Sequence, residues 1–273
     1  MPGQLVNLEE VGAGFHGSVF RCENVASKSI YARKYIHQQT NRGKEAIVYQ
    51  RYQLNSCDSI VKLVEYLADG SCLFELMPDG DMRHWMKSGS LSAEEHIWRI
   101  AHSLIDACTF MEKRSLLHGD IKPENVLLDI KRHKIKLTDF AESHDLNTPL
   151  PSQAAGSLPY MAPERLANQR TTTKSDIWSV GVILLELCLG HYPFSAQRTG
   201  TDSLSSSFSE QDPRIDRSCL SISLIELWES IHDTQVRVPG KYSRKLAELI
   251  KCCLTLDPRR RLCASQLQCL FKL

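Results

Sequence analysis

The residues best suited to chemistry lie in His118-Gly119-Asp120-Ile121-Lys122-Pro123-Glu124-Asn125, which packs a carboxylate, a lysine and an amide into one short stretch. A second carboxylate, Asp139 in Thr138-Asp139-Phe140-Ala141, follows the β-prone run Ile135–Leu137. Upstream, Gly12, Gly14 and Gly17 are spaced as Gly-x-Gly-x-x-Gly-x-Val, ending on Val19, and Lys34 sits in the strand-like stretch Tyr31-Ala32-Arg33-Lys34. Carboxylate and amide oxygens are hard ligands that suit Mg2+. Glycines let backbone N–H groups approach phosphate oxygens without a Cβ in the way. Phosphoryl transfer asks little more of a protein: the polyphosphate held, its charge neutralised, and the acceptor hydroxyl aimed in line. Each piece alone is weak, since a glycine hairpin or a surface lysine on an edge strand is commonplace. Their occurrence in one order along one chain is what points to this chemistry. The glycine loop is not a Walker loop, because no Gly-Lys-Ser/Thr follows, nor a dinucleotide turn, because a strand rather than a helix comes next.

These residues need a scaffold, and the patterning supplies one. Residues 5–36 read as strands, with Val11, Val19, Phe20, Ile30 and Tyr31 in short β-prone runs split by glycines and by the Asn24–Ser29 turn. From Arg42 to Leu54 the period changes, and Glu45, Val48, Tyr49 and Tyr52 fall on one helical face. Strand-like runs follow at Ile60–Leu67 and Ser71–Leu76, and helices dominate from Asp81. Ser92 with Glu95 predicts a capping box opening a helix to about Lys113, with Ile97, Ile100, Ala101, Leu104, Ile105 and Cys108 as its apolar stripe. Ile177–Leu189 reads as a buried helix, too short and interrupted to span a bilayer, and Ser243–Leu254 as another helix. Residues 195–221, rich in Ser, Thr, Asp and Gly, read as a loop or insertion.

Bulk composition narrows the classes. The 273 residues are 42% hydrophobic and 24% charged, as in ordinary globular proteins. A formal net charge of +1 gives no bulk drive toward nucleic acid or an anionic membrane. The ten cysteines are scattered without a C-x-x-C pair, so they are expected to be buried or half-buried free thiols in a reducing compartment. Residues 1–10 lack a basic start and an apolar run, which argues against a signal peptide.

From about Leu5 to about Leu270 the chain resembles the eukaryotic-type protein kinase family, on the motifs already given and on Ala162-Pro163-Glu164, Ser175-Asp176-Ile177-Trp178 and Asp257-Pro258-Arg259-Arg260-Arg261. The resemblance implies a two-lobed α+β fold, with a small β-rich N-lobe carrying one main helix and a larger, mostly helical C-lobe. It implies a single kinase domain over 1–273, with an N-lobe at about 1–77, a hinge at about 75–81 and a C-lobe at about 82–273. ATP and Mg2+ are the implied cofactors. Gly12, Gly14, Gly17 and Val19 would cover the phosphates, Lys34 would contact them while paired with Glu45, and Glu75, Met77 and Asp81 would meet adenine and ribose behind Phe74. Asp120 would be the catalytic base, Lys122 would reach the γ-phosphate, and Asn125 and Asp139 would hold the metal. Lys122 is characteristic of serine/threonine-specific members. Ser157 would contact the catalytic aspartate, Asp176 would anchor the catalytic loop, and Glu164 would pair with Arg261.

Three departures stand out. Arg33 replaces an apolar residue and is tolerable if it faces solvent. Gly119 stands where the family usually has an arginine that reads a phosphate on the activation loop, so activity is expected to depend less on that phosphorylation. Ala141 replaces glycine and is expected to restrict that segment without loss of metal binding.

The leading expectation is a serine/threonine protein kinase acting on protein substrates, with Glu124 hinting at basic-directed ones. No nucleic-acid or membrane partner is expected, and the protein would be monomeric or recruited by partners, intracellular, in cytoplasm or nucleus. No regulatory domain is expected within the chain. A small-molecule kinase of the aminoglycoside and choline type, a pseudokinase, and a scaffold docking through 195–221 remain alternatives.

Overall fold

The computed structural model describes residues 4–14, 17–37, 43–149, 156–194, 227–232 and 235–273. The expected loop at 195–221 therefore lies outside the described residues, as does Arg42.

The N-terminal β-prone runs form one antiparallel sheet in the order β1-β2-β3-β5-β4, from β1 (Leu5–Gly14), β2 (Gly17–Asn24), β3 (Ile30–Ile36), β4 (Leu63–Tyr66) and β5 (Cys72–Glu75). The turn between β2 and β3 is closed by Asn24, whose Oδ1 accepts from the amides of Ala26 and Ser27 at 3.0 and 3.1 Å. Gly17 opposes Ile36 across the β2–β3 ladder, and a Cβ on it would lie 1.9 Å from the Tyr35 carbonyl oxygen. The sheet itself thus demands this glycine. Gly12 is different, since a Cβ there would meet only Val19, at 3.9 Å. Arg33 is tolerated by pairing rather than by full exposure to solvent. It is half-buried, donating through Nη2 to Asp69 at 2.6 Å and through Nε to Ser71 at 3.0 Å, with its guanidinium over the Tyr35 ring.

Helix α1 (Lys44–Tyr52) follows β3, buries Glu45 and Tyr49, and stops at Gln53, whose left-handed backbone (φ 52°) ends the ladder before Leu54. The C-terminal part is mostly helical, with α2 (Met82–Lys87), α3 (Glu94–Glu112), α4 (Pro163–Leu166), α5 (Lys174–Leu189), α6 (Arg244–Cys253) and α7 (Ala264–Phe271). A two-lobed α+β fold results. Two small separate ladders form, β6 (Leu116–Leu117) with β9 (His144–Asp145), and β7 (Val126–Asp129) with β8 (Lys134–Leu137).

The whole expected stripe of α3, from Ile97 to Cys108, is buried, but its capping box does not form. Ala93 occupies the N-cap without a side-chain bond, and the helix begins one residue later than expected. Ser92 instead offers its carbonyl to the Tyr242 hydroxyl, while Glu95 reaches forward to Arg99 at 2.8 Å. The neighbouring Glu94 accepts from the Ser243 amide, tying α3 to the start of α6. Glu95 is thus spent on an ion pair within its own helix, while Ser92 and Glu94 tie the start of α3 to the Tyr242–Ser243 stretch.

Helix α5 is buried on nearly every face and forms the centre of the C-terminal part. Its Gly181 is a contact point: a Cβ there would come within 2.7 Å of Cys253 and 2.9 Å of Leu254 at the end of α6. Nine cysteines are described, all free, and Cys269 departs from expectation by being exposed. Burial pushes the thiols of Cys57 and Cys72 up, to about 11 and about 12, which suits packing rather than reactivity. Among the described residues no helix is long and apolar enough to cross a membrane.

Candidate active site

The register of the sheet sets the first cluster. Lys34 lies opposite Val19 on one side and Cys72 on the other, in the middle of the sheet, and is only 8% exposed. Its Nζ donates to Glu45 Oε2 on α1 at 2.8 Å and to Asp139 Oδ1 at 2.7 Å. Burial alone would depress the ammonium, but the two carboxylates more than offset it and hold Lys34 above the ordinary lysine range. Lys34 is therefore a cation throughout physiological pH. The other oxygen of Glu45 accepts from the Phe140 amide at 3.0 Å. One glutamate thus joins sheet, helix and the Thr138–Ala141 segment.

Phe140 holds that segment in place. Its ring is fully buried, with Tyr49 at 5.5 Å on one side and His118 at 4.7 Å on the other, centroid to centroid. The left-handed backbone here falls on Asp139 (φ 63°), while Ala141 is absent from the positive-φ residues. Alanine at 141 thus carries no left-handed strain.

The second cluster is built on α5. Asp176, fully buried, accepts the His118 and Gly119 amides at 2.8 and 3.0 Å. Burial raises its carboxyl above the usual range, against these amides, His118 and Arg165, which favour the anion. Asp120 follows at once. Its Oδ1 accepts the Ser157 amide at 2.7 Å, and its Oδ2 meets Asn125 Nδ2 and Lys122 Nζ, each at 3.2 Å. Lys122 also donates to the Ser157 hydroxyl at 2.7 Å, and Asn125 Nδ2 to the Asp120 carbonyl at 2.8 Å. Asn125 thus turns its amide nitrogen toward Asp120, which leaves the oxygen as its ligand atom. The two clusters are stitched together by the Thr138 amide on the Asn125 carbonyl at 2.9 Å and by His118 Nε2 against the Thr138 carbonyl at 3.0 Å.

The hinge-side residues are less uniform. Phe74 is buried against Tyr49, with centroids 5.5 Å apart. The Glu75 amide is committed to the Lys62 carbonyl at 3.0 Å, so it is not a donor for a purine. Its carboxylate accepts from Lys136 Nζ at 2.5 Å. Met77 is buried, and its carbonyl accepts from Gly80 at 3.3 Å. Asp81 caps α2 through His84, at 3.1 Å. Gly12 and Gly14 pair with Val19 and Gly17 in the hairpin beside the Lys34 strand.

Glu164 and Arg261 meet in a forked, buried pair at 2.7 and 2.9 Å. Sequence reasoning missed four residues around this floor. Arg165 donates to the Gly119 carbonyl at 2.6 Å, and Gly119 itself is left-handed (φ 83°), where a Cβ would lie 3.1 Å from the Glu142 carbonyl oxygen. Arg83, Glu186 and Tyr160 form a further polar group beside Glu124. The only local signals were a charged residue directly after Ala162-Pro163-Glu164 and a glutamate inside an otherwise apolar helix.

The donor set can be tested for metal. Among the described residues no three or more His, Cys, Asp or Glu side chains gather as a metal cage. One carboxylate (Asp139) and one amide oxygen (Asn125) fit Mg2+ of the kind that brings phosphate and water as its remaining ligands.

A profile of the protein kinase domain matches residues 5–270. The chain is 27% identical over 277 residues to the mitogen-activated protein kinase kinase MST7 of Pyricularia oryzae, covering 95% of this chain and 62% of that protein. It is 28% identical over 286 residues to the mitogen-activated protein kinase kinase mkk2 of Aspergillus fumigatus, covering 94% of this chain and 52% of that one. The chain thus spans little more than half the length of these curated relatives.

Proposed function

Since the chain belongs to the protein kinase family, we propose that it transfers the γ-phosphoryl group of ATP to serine or threonine hydroxyls of protein substrates. The observation that carries this reading is the joining of the Lys34–Glu45–Asp139 cluster to the Asp120–Lys122–Asn125–Ser157 cluster. In it, Asp139 and Asn125 would hold Mg2+, and the glycine hairpin, Lys34, Glu75, Met77 and Asp81 would hold the nucleotide. When bound, Mg·ATP supplies the transferable phosphoryl group and a cation to neutralise charge on its oxygens.

The chain's own residues do the rest. Asp120 orients the acceptor hydroxyl and takes its proton as the oxygen–phosphorus bond forms and the bond to the leaving phosphate breaks. Lys122, anchored on Ser157, places a positive charge where the migrating group crosses. Lys34, held charged and aimed by Glu45, fixes the phosphates without reorganising during the step. Transfer of radiolabelled phosphate from Mg·ATP to generic basic proteins is the direct test. Wild type is expected to label them, and Lys34→Met and Asp139→Asn each to lose at least about a hundredfold of that rate. Labelling that survives both changes would remove the roles given to Lys34 and Asp139, and its absence in wild type would favour a pseudokinase.

Regulation follows from Gly119. The family's phosphate-reading arginine is missing there, and Arg165 donates to the carbonyl of the same residue. Gly156, directly before Ser157, also rests on this loop, since a Cβ on it (φ 112°) would lie 2.4 Å from the Gly119 carbonyl oxygen. Dephosphorylated and phosphorylated enzyme are therefore expected to differ less than about tenfold in rate, below roughly 1.4 kcal/mol of activation free energy. A larger gain on phosphorylation counts against this regulation.

The relatives' names support a second reading of the substrate, in which it is itself a protein kinase. Phosphoamino-acid analysis of a labelled kinase substrate separates serine or threonine transfer from transfer that includes tyrosine.

A further inference from the structure

Beside the proposed catalytic aspartate lies a polar group that the transfer step does not use. Arg83, on α2, directs every arm of its guanidinium inward. Nε donates to Glu124 Oε1 at 2.7 Å, Nη1 to Glu186 Oε1 at 2.6 Å, and Nη2 to the Tyr160 hydroxyl. Tyr160 in turn donates to Glu186 Oε2 at 2.6 Å. The three acceptors come from three different elements. Glu124 is in the short turn Pro123–Asn125 that follows Asp120 and Lys122, Tyr160 is three residues after Ser157, and Glu186 projects from α5.

Position gives this group its meaning. Asp120 touches Ser157, so the chain segment carrying Ser157 and Tyr160 borders any hydroxyl delivered to Asp120. Glu124 borders the same place from the other side. The side chains of Glu124 and Arg83 are 44% and 24% exposed, so the slot opens to solvent. Without Arg83 it would present two carboxylates and a phenolic oxygen, a receptor of the right shape and charge for a guanidinium. With Arg83 in place, that receptor is already filled by the protein's own arginine.

We infer that Arg83 is a specificity-determining residue, an internal stand-in that closes a ready-made Glu124–Glu186 slot to basic side chains of the substrate. The inference rests on the protein-kinase reading for its location and overturns the basic preference that Glu124 alone suggests. Glu124, though half-exposed, is already paired with Arg83.

The test is an arginine scan: serine peptides with one arginine moved through the positions flanking the acceptor, assayed with wild type, Arg83→Ala, Arg83→Gln and Arg83→Ala/Glu124→Gln. Wild type is expected to show no preference for arginine at any position. Arg83→Ala is expected to gain about tenfold for arginine at one position, and the double variant to lose that gain. Arg83→Gln keeps neutral donors toward Glu186 and Tyr160, and it reports in place of the alanine variant should that one fail to fold. Binding of a fluorescein-labelled arginine peptide, read by anisotropy, gives the same comparison without turnover. If no protein transfers phosphate yet the Arg83 variants gain peptide affinity, the slot stands and the kinase activity falls. A wild type that already prefers arginine through Glu124, or folded Arg83 variants with unchanged profile and affinity, overturns the inference.

Discussion

Asp120→Asn is expected to slow phosphoryl transfer by on the order of 10^2 to 10^4, with Mg·ATP affinity unchanged. The expectation comes from how the carboxylate is held. Ser157 donates to one oxygen, and Asn125 and Lys122 meet the other, so the group is fixed in orientation and surrounded by donors. Asparagine keeps the shape and can still accept from the Ser157 amide, while its Nδ2 takes the place of the oxygen that meets Asn125 and Lys122. It cannot take a proton. Initial rates measured alongside nucleotide binding by thermal shift separate the two effects. A rate within tenfold of wild type would take the base role away from Asp120, and weakened nucleotide binding would move it to the nucleotide site.

Arg261→Ala is expected to destabilise the fold by about 3–5 kcal/mol, because it strands a buried charge. Arg261 has 0% exposure and spends its donors on Glu164 Oε1 and Oε2, the Lys174 carbonyl at 3.0 Å, the Thr255 carbonyl at 2.9 Å and the Leu256 carbonyl at 3.2 Å. Its guanidinium also lies 5.1 Å from the Trp178 ring centroid. Removing it deprives the Glu164 carboxylate of both guanidinium bonds, with the Ser175 hydroxyl still donating at 2.8 Å. The melting temperature should fall by roughly 10 °C, at the 2–4 °C per kcal/mol typical of large domains. Arg244→Ala is the control. That arginine also makes an ion pair, with Glu248 at 2.9 Å, but its side chain is 92% exposed, so the pair should contribute less than about 1 kcal/mol. Equal losses from the two substitutions would show that the Glu164–Arg261 pair is not the buried staple described.

The two predictions touch residues of different legibility. Asp120, Lys122, Asn125 and Asp139 could be read from the chain as candidates because phosphoryl transfer would need particular residue types, and short motifs keep them close in sequence. Helix α3 was readable for a related reason: its apolar stripe repeats at helical spacing, and burial of that stripe is a local pattern written into one segment. The cap of the same helix was not, because Ser92 and Glu94 bond to Tyr242 and Ser243, about 150 positions away, and Glu95 pairs with Arg99 in its own helix.

Residue type and order along the chain were enough to determine the family, the two-lobed α+β plan and the set of candidate reactive groups, since each depends on local periodicity or on chemistry that few residues can perform. Tertiary structure alone decided what those groups face. Lys34 and Asp139 are 105 positions apart and Arg83 and Glu186 are 103 apart, and no pattern within either segment specifies the other. A charged side chain pairs with whichever opposite charge folding brings within hydrogen-bond distance. Glu124, read alone, suggested a receptor for a substrate's base, and only the packing of α2 against its turn delivered Arg83 into that receptor first.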